Sequence, residues 1–289
     1  MFSCGRTSPH FSCSQECLPI LSTNLTQGDL CDDLECQASD NFQQICSQLS
    51  CNAMSCTSKE CYQRLLLADC GSMVCKRSVN NYEQLAQLPL NGQIMICDGK
   101  LRNQRCQSRK NDGLCDMKCS ETAGACEQRG ISGKYRFKCS AGVKNCTQNA
   151  DLFAIGQIEC DADSCVQSCY HSTCSMSCSS SVQMCMQSED GFASEEIIMN
   201  CDADVCKQHC GVAACNMTCA SSVKVCFQTC KRGNCVVRCD AEKCYGEKGL
   251  SSTTSSPSWV LPTNAGSHVK GTWLFSCLKL VYLLVYRIH

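Results

Sequence analysis

The chain has 289 residues, of which 35 are cysteine, and its formal net charge at pH 7 is −1. Leu, Ile, Val and Phe together make up about 19% of it, near the level at which a packed apolar core becomes doubtful, so cross-links must take over part of the stabilisation. A nearly neutral chain creates no long-range field, which argues against a nucleic-acid-binding protein.

The densest basic run supports that exclusion. It consists of Lys100, Arg102, Arg105, Arg109 and Lys110 and has no interleaved aromatic residues on which bases could stack. We interpret it as a solvated loop and expect no nucleic-acid partner.

Cysteine at this density indicates disulfides and an oxidising compartment. The rival interpretation is an intracellular metal-binding protein, in which C-x2-C pairs turn two thiolates onto one ion. The closest spacing in this chain is C-x3-C. We therefore expect disulfides, with no metal centre and no cofactor.

Residues 1–30 form an N-terminal segment that contains three cysteines. Its first part, "MFSCGRTSPHFSCSQECLPIL", has no basic stretch followed by an apolar run, so no signal peptide is visible there. Because the cysteines require secretion, we expect the natural start to precede Met1.

Diverged cysteine-rich repeats occupy residues 31–96 and 97–159. The stretches "ECYQRLLLADC" and "NNYEQLAQLPLNG" within the first of these are rich in helix-forming residues. They predict two short helices, the second ending before Pro89.

Two strong repeats follow, at residues 160–200 and 201–238, with a partial copy at 239–246. Both strong copies fit C-D-A-D-x-C-x3-C-x4-C-x-M-[ST]-C-x3-V-x2-C-x-Q without a gap. The stretch "GFASEEIIM" between them predicts a helix or an exposed loop. The predicted disulfide cysteines, with pairing left open, are Cys160, Cys165, Cys169, Cys174, Cys178, Cys185, Cys201, Cys206, Cys210, Cys215, Cys219, Cys226, Cys230, Cys235, Cys239 and Cys244.

The cysteine spacing restricts the fold class. Steps of 5, 4, 5 and 4 residues put the cysteines of one helix on opposite sides, and an odd step changes the face of an unbroken strand. Short strands joined by turns satisfy the spacing. We predict a disulfide-rich, mainly β fold with short helices, built as a solenoid-like stack of tandem repeats; the alternative is a string of separate modules of about 40 residues each.

Four repeated aspartates form the weak candidate for a metal site. Asp161 with Asp163, and Asp202 with Asp204, could contribute oxygens to Ca²⁺, but calcium needs six or more oxygens and no other acidic position repeats nearby. Turn formation is the favoured interpretation. No nucleophile, phosphate-loop or zinc-protease motif is present, so we assign no catalytic residue and expect no enzyme.

The remaining motifs concern secretion and anchoring. Asn24, Asn145 and Asn216 lie in glycosylation sequons. Residues 247–266 form a Ser/Thr/Pro-rich linker, and residues 267–289 form an apolar tail. Asn264, followed by two small residues, is the candidate lipid-anchor site; a spanning helix and a packed terminus are the alternatives for the tail.

These features predict a non-enzymatic extracellular repeat protein with a structural or adhesive role, secreted or at the cell surface, attached to the membrane by its C-terminal tail or a lipid. Its partner would be an extracellular protein or the matrix. The alternatives are a secreted matrix component, including a mineral-associated one, a ligand-binding receptor ectodomain, and an intracellular metal-binding protein.

Overall fold

The computed structural model describes residues 13–17, 34–36, 41–47, 51–57, 60–66, 70–75, 80–87, 93–98, 100–107, 114–193, 195–232 and 234–246. These residues form strands, turns and connections, and they include no helix that could cross a membrane. The first ten strands are β1 (Cys13–Cys17), β2 (Leu34–Cys36), β3 (Asn41–Ser47), β4 (Cys51–Cys56), β5 (Glu60–Leu66), β6 (Cys70–Cys75), β7 (Asn81–Gln87), β8 (Gln93–Cys97), β9 (Leu101–Gln107) and β10 (Leu114–Cys119).

The long strands of the middle follow, and then the shorter strands of the strong repeats. They are β11 (Ala125–Cys139), β12 (Asn145–Cys160), β13 (Ser164–Tyr170), β14 (Thr173–Cys178), β15 (Met184–Glu189), β16 (Ile197–Cys201), β17 (Val205–Cys210), β18 (Cys215–Cys219), β19 (Val225–Cys230), β20 (Cys235–Cys239) and β21 (Lys243–Gly246).

The chain winds as a β-solenoid of about nine turns, which confirms the solenoid-like prediction. Every strand pairing is parallel, and each strand pairs with the equivalent strand of the coil before and after it. The first sheet contains the odd-numbered strands up to β9, the first halves of β11 and β12, and then β13, β15, β17, β19 and β21. The second sheet contains the even-numbered strands up to β10, the second halves of β11 and β12, and then β14, β16, β18 and β20.

One coil takes about 20 residues, so the 41-residue sequence repeat is two coils. In the strand register, Cys165 lies beside Cys185 of the next coil, and Cys185 lies beside Cys206 of the coil after that. Because the stack is continuous through the described strands, the alternative of separate modules does not describe the molecule.

The geometry of the coil explains the alternating cysteine spacing. A step of four residues, such as Cys165 to Cys169, runs along a strand, and an even step keeps both side chains on the inner face. A step of five, such as Cys160 to Cys165, crosses a corner from one sheet to the other. In the strong repeats each corner of this kind is closed by a disulfide between cysteines that are adjacent in the sequence.

All sixteen cysteines predicted in the strong repeats are bonded in this way. The pairs are Cys160–Cys165, Cys169–Cys174, Cys178–Cys185, Cys201–Cys206, Cys210–Cys215, Cys219–Cys226, Cys230–Cys235 and Cys239–Cys244. In the earlier coils Cys56–Cys61, Cys106–Cys115, Cys119–Cys126 and Cys139–Cys146 follow the same pattern. Closing so short a loop stabilises the fold by about 2 kcal/mol per bond, mainly by restricting the unfolded chain.

One described disulfide joins two coils instead. Cys75 and Cys97 lie opposite each other on β6 and β8, with their Cα atoms 4.8 Å apart. In both coils the cysteine expected across the corner is replaced, by Tyr82 in one and by Arg102 in the other. Each cysteine therefore lacks its usual partner and bonds to its neighbour in the stack.

A ladder of buried glutamines runs along the inner face of the first sheet. From Gln63 onward, each Nε2 donates to the Oε1 of the glutamine one coil before it, at 2.7–3.2 Å. Several also donate to carbonyls of the second sheet, as Gln208 does to Met199 at 2.9 Å. The ladder satisfies these buried amides and ties the two sheets together. Its members are Gln44, Gln63, Gln84, Gln104, Gln128, Gln148, Gln167, Gln187, Gln208 and Gln228.

Opposite the glutamines, the second sheet contributes a column of apolar side chains. Seven methionines dominate it, because a flexible thioether fills the space between corner disulfides. The column consists of Met54, Met73, Met95, Met117, Phe137, Ile158, Met176, Met199, Met217 and Val237.

The predicted short helices are wrong. Residues 60–66 form β5 and residues 81–87 form β7, and buried and exposed side chains alternate in both. Gln63 and Gln84 occupy the ladder, so the register of the neighbouring coils overrides the helix propensity of the local residues. The stretch between the strong repeats forms a connection followed by β16.

Candidate functional site: an aromatic edge of the solenoid

An exposed row of aromatic residues lies along one corner of the solenoid, where the chain passes from the first sheet to the second. Phe153 and Phe192 are 75% and 76% exposed, the highest values among the large apolar residues of the described chain. Leu152 and Tyr170 are 44% and 47% exposed beside them. We call Leu152, Phe153, Tyr170, His171 and Phe192 the aromatic edge.

The backbone of this edge is strained. Leu152, Phe153 and His171 have φ values of 54°, 66° and 51°, in the left-handed region that bulky side chains rarely adopt. Backbone hydrogen bonds between coils hold the conformation, since the amide of Phe153 donates to the carbonyl of His171 at 2.7 Å. Strain of this kind, costing about 1–3 kcal/mol per residue, clusters at functional sites.

His171 links the aromatic residues of neighbouring coils. Its ring contacts Tyr170 edge-on, with centroids 4.3 Å apart, and stacks on Phe192 at 6.2 Å. Its Nδ1 accepts a hydrogen bond from the backbone amide of Phe192 at 3.2 Å. Gly191 has φ +143°, and a Cβ there would lie 2.9 Å from the His171 amide nitrogen. The histidine therefore fixes where Phe192 is presented.

A buried carboxylate supports the edge from beneath. Glu189 is 1% exposed and stands where the coils on either side have corner cysteines, Cys169 and Cys210. Its Oε2 accepts backbone amide hydrogens of the next coil from residues 211, 212 and 213, each at 3.1 Å. Charge-assisted bonds of this type are among the stronger ones in proteins. They hold this corner in place without a disulfide.

Acidic residues surround the exposed end of the edge. Asp190, Glu195 and Glu196 are all exposed and flank Phe192 in the sequence. Asp190 also lies 3.7 Å from His209 of the next coil. The edge thus combines apolar rings with negative charge.

The charge of the whole chain is strongly segregated around this edge. Residues 151–204 contain ten acidic residues and no lysine or arginine, whereas residues 100–150 contain eleven lysines and arginines and four acidic residues. The net charge of residues 151–204, the acidic zone, is therefore −10, and that of residues 100–150, the basic zone, is +7. They meet at the ion pair between Arg129 Nε and Asp151 Oδ2, at 2.7 Å.

Sequence reasoning missed both the aromatic edge and the charge zones. The net charge of −1 averages the two zones away, whereas a count over windows of about 50 residues reveals them. The aromatic edge has a weaker signal: Phe153 and Phe192 each lie five residues after a ladder glutamine, Gln148 and Gln187, but Tyr170 and His171 do not share that position.

Two of the predicted glycosylation and anchor residues lie within the described residues, and two lie outside them. Asn145 is exposed at the start of β12, and Asn216 is half-buried on the outer face of β18. Asn24 and Asn264 lie outside the described residues, as do the linker and the tail.

The four candidate calcium ligands lie at two corners that are two coils apart, with the Cys178 corner between them. The Asp202 carboxylate accepts from the Ser222 hydroxyl, and Asp204 Oδ2 lies 2.9 Å from Lys224 Nζ, both in the following coil. Within the described chain, the groups of three possible metal ligands contain corner cysteines and Glu189 and none of these aspartates.

Comparison with known proteins gives no further guidance, because no family model, curated protein or solved structure matches this chain. The functional conclusion therefore depends on the residues and geometry above.

Proposed function

We propose that this protein is a non-enzymatic extracellular solenoid with a structural or adhesive role, held at the cell surface by its C-terminal tail or a lipid anchor. The observation that carries the proposal is the series of eight corner disulfides between Cys160 and Cys244, which is interrupted at the Glu189 corner. Bonds of this kind persist in oxidising compartments, and they give a rigid stack without a large aliphatic core. At about 4.8 Å per coil, nine turns span roughly 43 Å.

In this proposal the fixed and the variable residues have separate tasks. The cysteines and ladder glutamines face inward and maintain the coil, while the outward positions are free to vary and to make contacts. The aromatic edge is the best contact surface, because exposed apolar patches with a polar rim mark interaction sites. The corner cysteines are bonded and so are not available as catalytic thiolates.

A count of free thiols tests the compartment. The full chain, isolated from the cells that produce it, is denatured without reductant and titrated with a thiol reagent. We expect few reactive thiols among the 35 cysteines. Many reactive thiols together with bound zinc would instead establish the intracellular metal-binding alternative.

Surface labelling of intact cells tests the tether. We expect the labelled chain to be released by a phosphatidylinositol-specific phospholipase if a lipid holds it, and to stay with the membrane if the tail spans it. Recovery of the chain only in deposited material outside the cell would favour the matrix alternative. The acidic zone is the observation that supports that alternative, since carboxylates bind hard cations such as calcium.

A further inference from the structure

We propose that the aromatic edge binds a second copy of this chain, in an antiparallel pair whose two-fold axis passes beside Phe153. The inference rests on the contact role proposed above and names the partner for it. Three observations carry it: the exposure of Phe153, the order of charges along the edge, and the coil spacing that relates them.

The order of charges along the edge follows from the strand register. Arg105 in β9 lies next to Arg129 in β11, and the next coil is that of Asp151, Leu152 and Phe153. The coil after that contains Tyr170, which stands opposite Asp151. Asp190 follows one coil later, with its amide bonded to the carbonyl of Cys169. Basic residues therefore precede the Phe153 coil, and acidic residues follow it at equal distance.

An antiparallel pair makes use of that order. A two-fold axis at the Phe153 coil places each coil before it against the coil equally far after it in the second copy. The coil of Arg105, two coils before, then faces the coil of Asp190, two coils after; the separation along the stack is about 10 Å in each direction. Arg105 aligns with Ser188, so the long arginine side chain has an offset of two residues to reach Asp190. Because the contact is isologous, the same charge pairing forms twice.

The coils nearest the axis are complementary as well. Arg129 and Lys134, both exposed and one coil before Phe153, face the coil of Tyr170 and His171 in the second copy. A guanidinium or ammonium group over an aromatic face is attractive. At the axis Phe153 meets its own counterpart, and aromatic residues at the centre of an interface contribute most to binding.

The parallel arrangement is disfavoured by the same charges. It would set Arg105 against Arg105 and Asp190 against Asp190, so that like charges oppose each other at both ends of the contact. Charge complementarity thus selects one orientation and makes the association sensitive to salt.

A charge-swap experiment tests the proposal on the full chain, produced in a secretory host and kept in a non-ionic detergent. One variant carries Arg105→Glu, Arg129→Glu and Lys134→Glu, and the other carries Asp190→Lys, Glu195→Lys and Glu196→Lys. Sedimentation velocity should show a dimer for the unchanged chain at about 50 mM NaCl and its loss near 500 mM. Each variant alone should be monomeric, and an equal mixture of the two should dimerise again.

The mixture distinguishes a lost contact from a lost fold, since misfolded variants could not restore it. Phe153→Ser should weaken the dimer by at least about tenfold, as removal of a central aromatic residue does. Phe227→Ser is the matched control, because that ring is exposed on the first sheet, away from the edge, and it should leave the dimer unchanged.

Several outcomes would overturn the proposal. These are a monomeric unchanged chain at low salt, a dimer that both triple variants still form, and a mixture that stays monomeric. If Phe153→Ser reduced adhesion to other molecules while self-association was absent, the edge would bind a different partner: the adhesive function would stand and the dimer would not. If the thiol titration found many reactive thiols, the proposed extracellular function would be wrong, but the result of the dimer experiment would still hold.

Discussion

Cys75 and Cys97 face each other on neighbouring coils and form a disulfide because Tyr82 and Arg102 stand at the positions of their usual partners. The separations from Cys75 to residue 82 and from Cys97 to residue 102 are seven and five residues. These are the two loop lengths that the corner disulfides use elsewhere, as in Cys119–Cys126 and Cys160–Cys165.

The double substitution Tyr82→Cys with Arg102→Cys should therefore redirect the bonding. We expect Cys75 to pair with residue 82 and Cys97 with residue 102, because closing a short corner loop is favoured at both places. Proteolysis without reductant followed by mass spectrometry identifies the linked peptides. Retention of the Cys75–Cys97 bond, with free thiols at 82 and 102, would contradict the expectation.

Tyr82 should make the protein less stable at alkaline pH. Burial raises the pKa of Tyr82 well above its ordinary value of about 10, and the hydrogen bond with Gln84 opposes that shift. Its hydroxyl also donates to Gln63 Oε1. Because the folded pKa is the higher one, this stability is complete below pH of about 10 and is lost as the pH rises further, where the phenol of the unfolded chain ionises.

The measurement is the phenolate absorbance of the native chain minus that of Tyr82→Phe as the pH rises. The difference should develop only well above pH of about 10, or together with unfolding. A difference that titrates at pH of about 10 while the fold is intact would show that the phenol is accessible.

The glutamine ladder should be intolerant of apolar replacement. Gln187→Leu removes the amide donor to the buried Gln167 Oε1 and to the Asn200 carbonyl, and it takes one of three acceptors from Gln208 Nε2. We expect a loss of about 2–4 kcal/mol, seen as a lower midpoint in chemical denaturation. Gln157→Leu is the control, since Gln157 is exposed on the outer face of β12. Equal effects of the two substitutions would argue against the ladder as a source of stability.

Gly130 should be required by the ring of Tyr135. A Cβ at residue 130 would lie 2.7 Å from that ring, whereas a Cβ at Gly156 meets its nearest neighbour at 3.4 Å. Gly130→Ala should therefore cost about 1–3 kcal/mol, and Gly156→Ala much less. Adding Tyr135→Leu to Gly130→Ala should recover part of the loss, and a double-mutant cycle from denaturation midpoints measures the coupling. Strictly additive effects would rule out the clash.

The cysteine spacing predicted short strands and favoured a solenoid, because even and odd steps have fixed meanings on a strand. It left the choice between a continuous stack and separate modules to the structure. The helix prediction failed at residues 60–66 and 81–87, where Leu65 and Ala86 favour helices locally but lie inside the coil. Gln63 and Gln84 belong to the same inward column of the ladder. Their spacing of 21 residues, about one coil, was the sequence signal that both stretches are strands. The aromatic edge depends on corner conformations at Leu152 and His171, which no spacing rule specifies.

The corner disulfides also limit how far the molecule can stretch under tension. Five residues pulled straight span about 17 Å, but the Cα atoms of Cys160 and Cys165 are held 6.2 Å apart. Each bonded corner thus shortens the fully extended chain by about 11 Å. A coil of about 20 residues with two such corners therefore reaches an extended length about a third shorter than the same chain without disulfides. Tension also passes directly through the Cys75–Cys97 bond, so the loop that it closes, with a sequence separation of 22 residues, adds no length while the bond is intact.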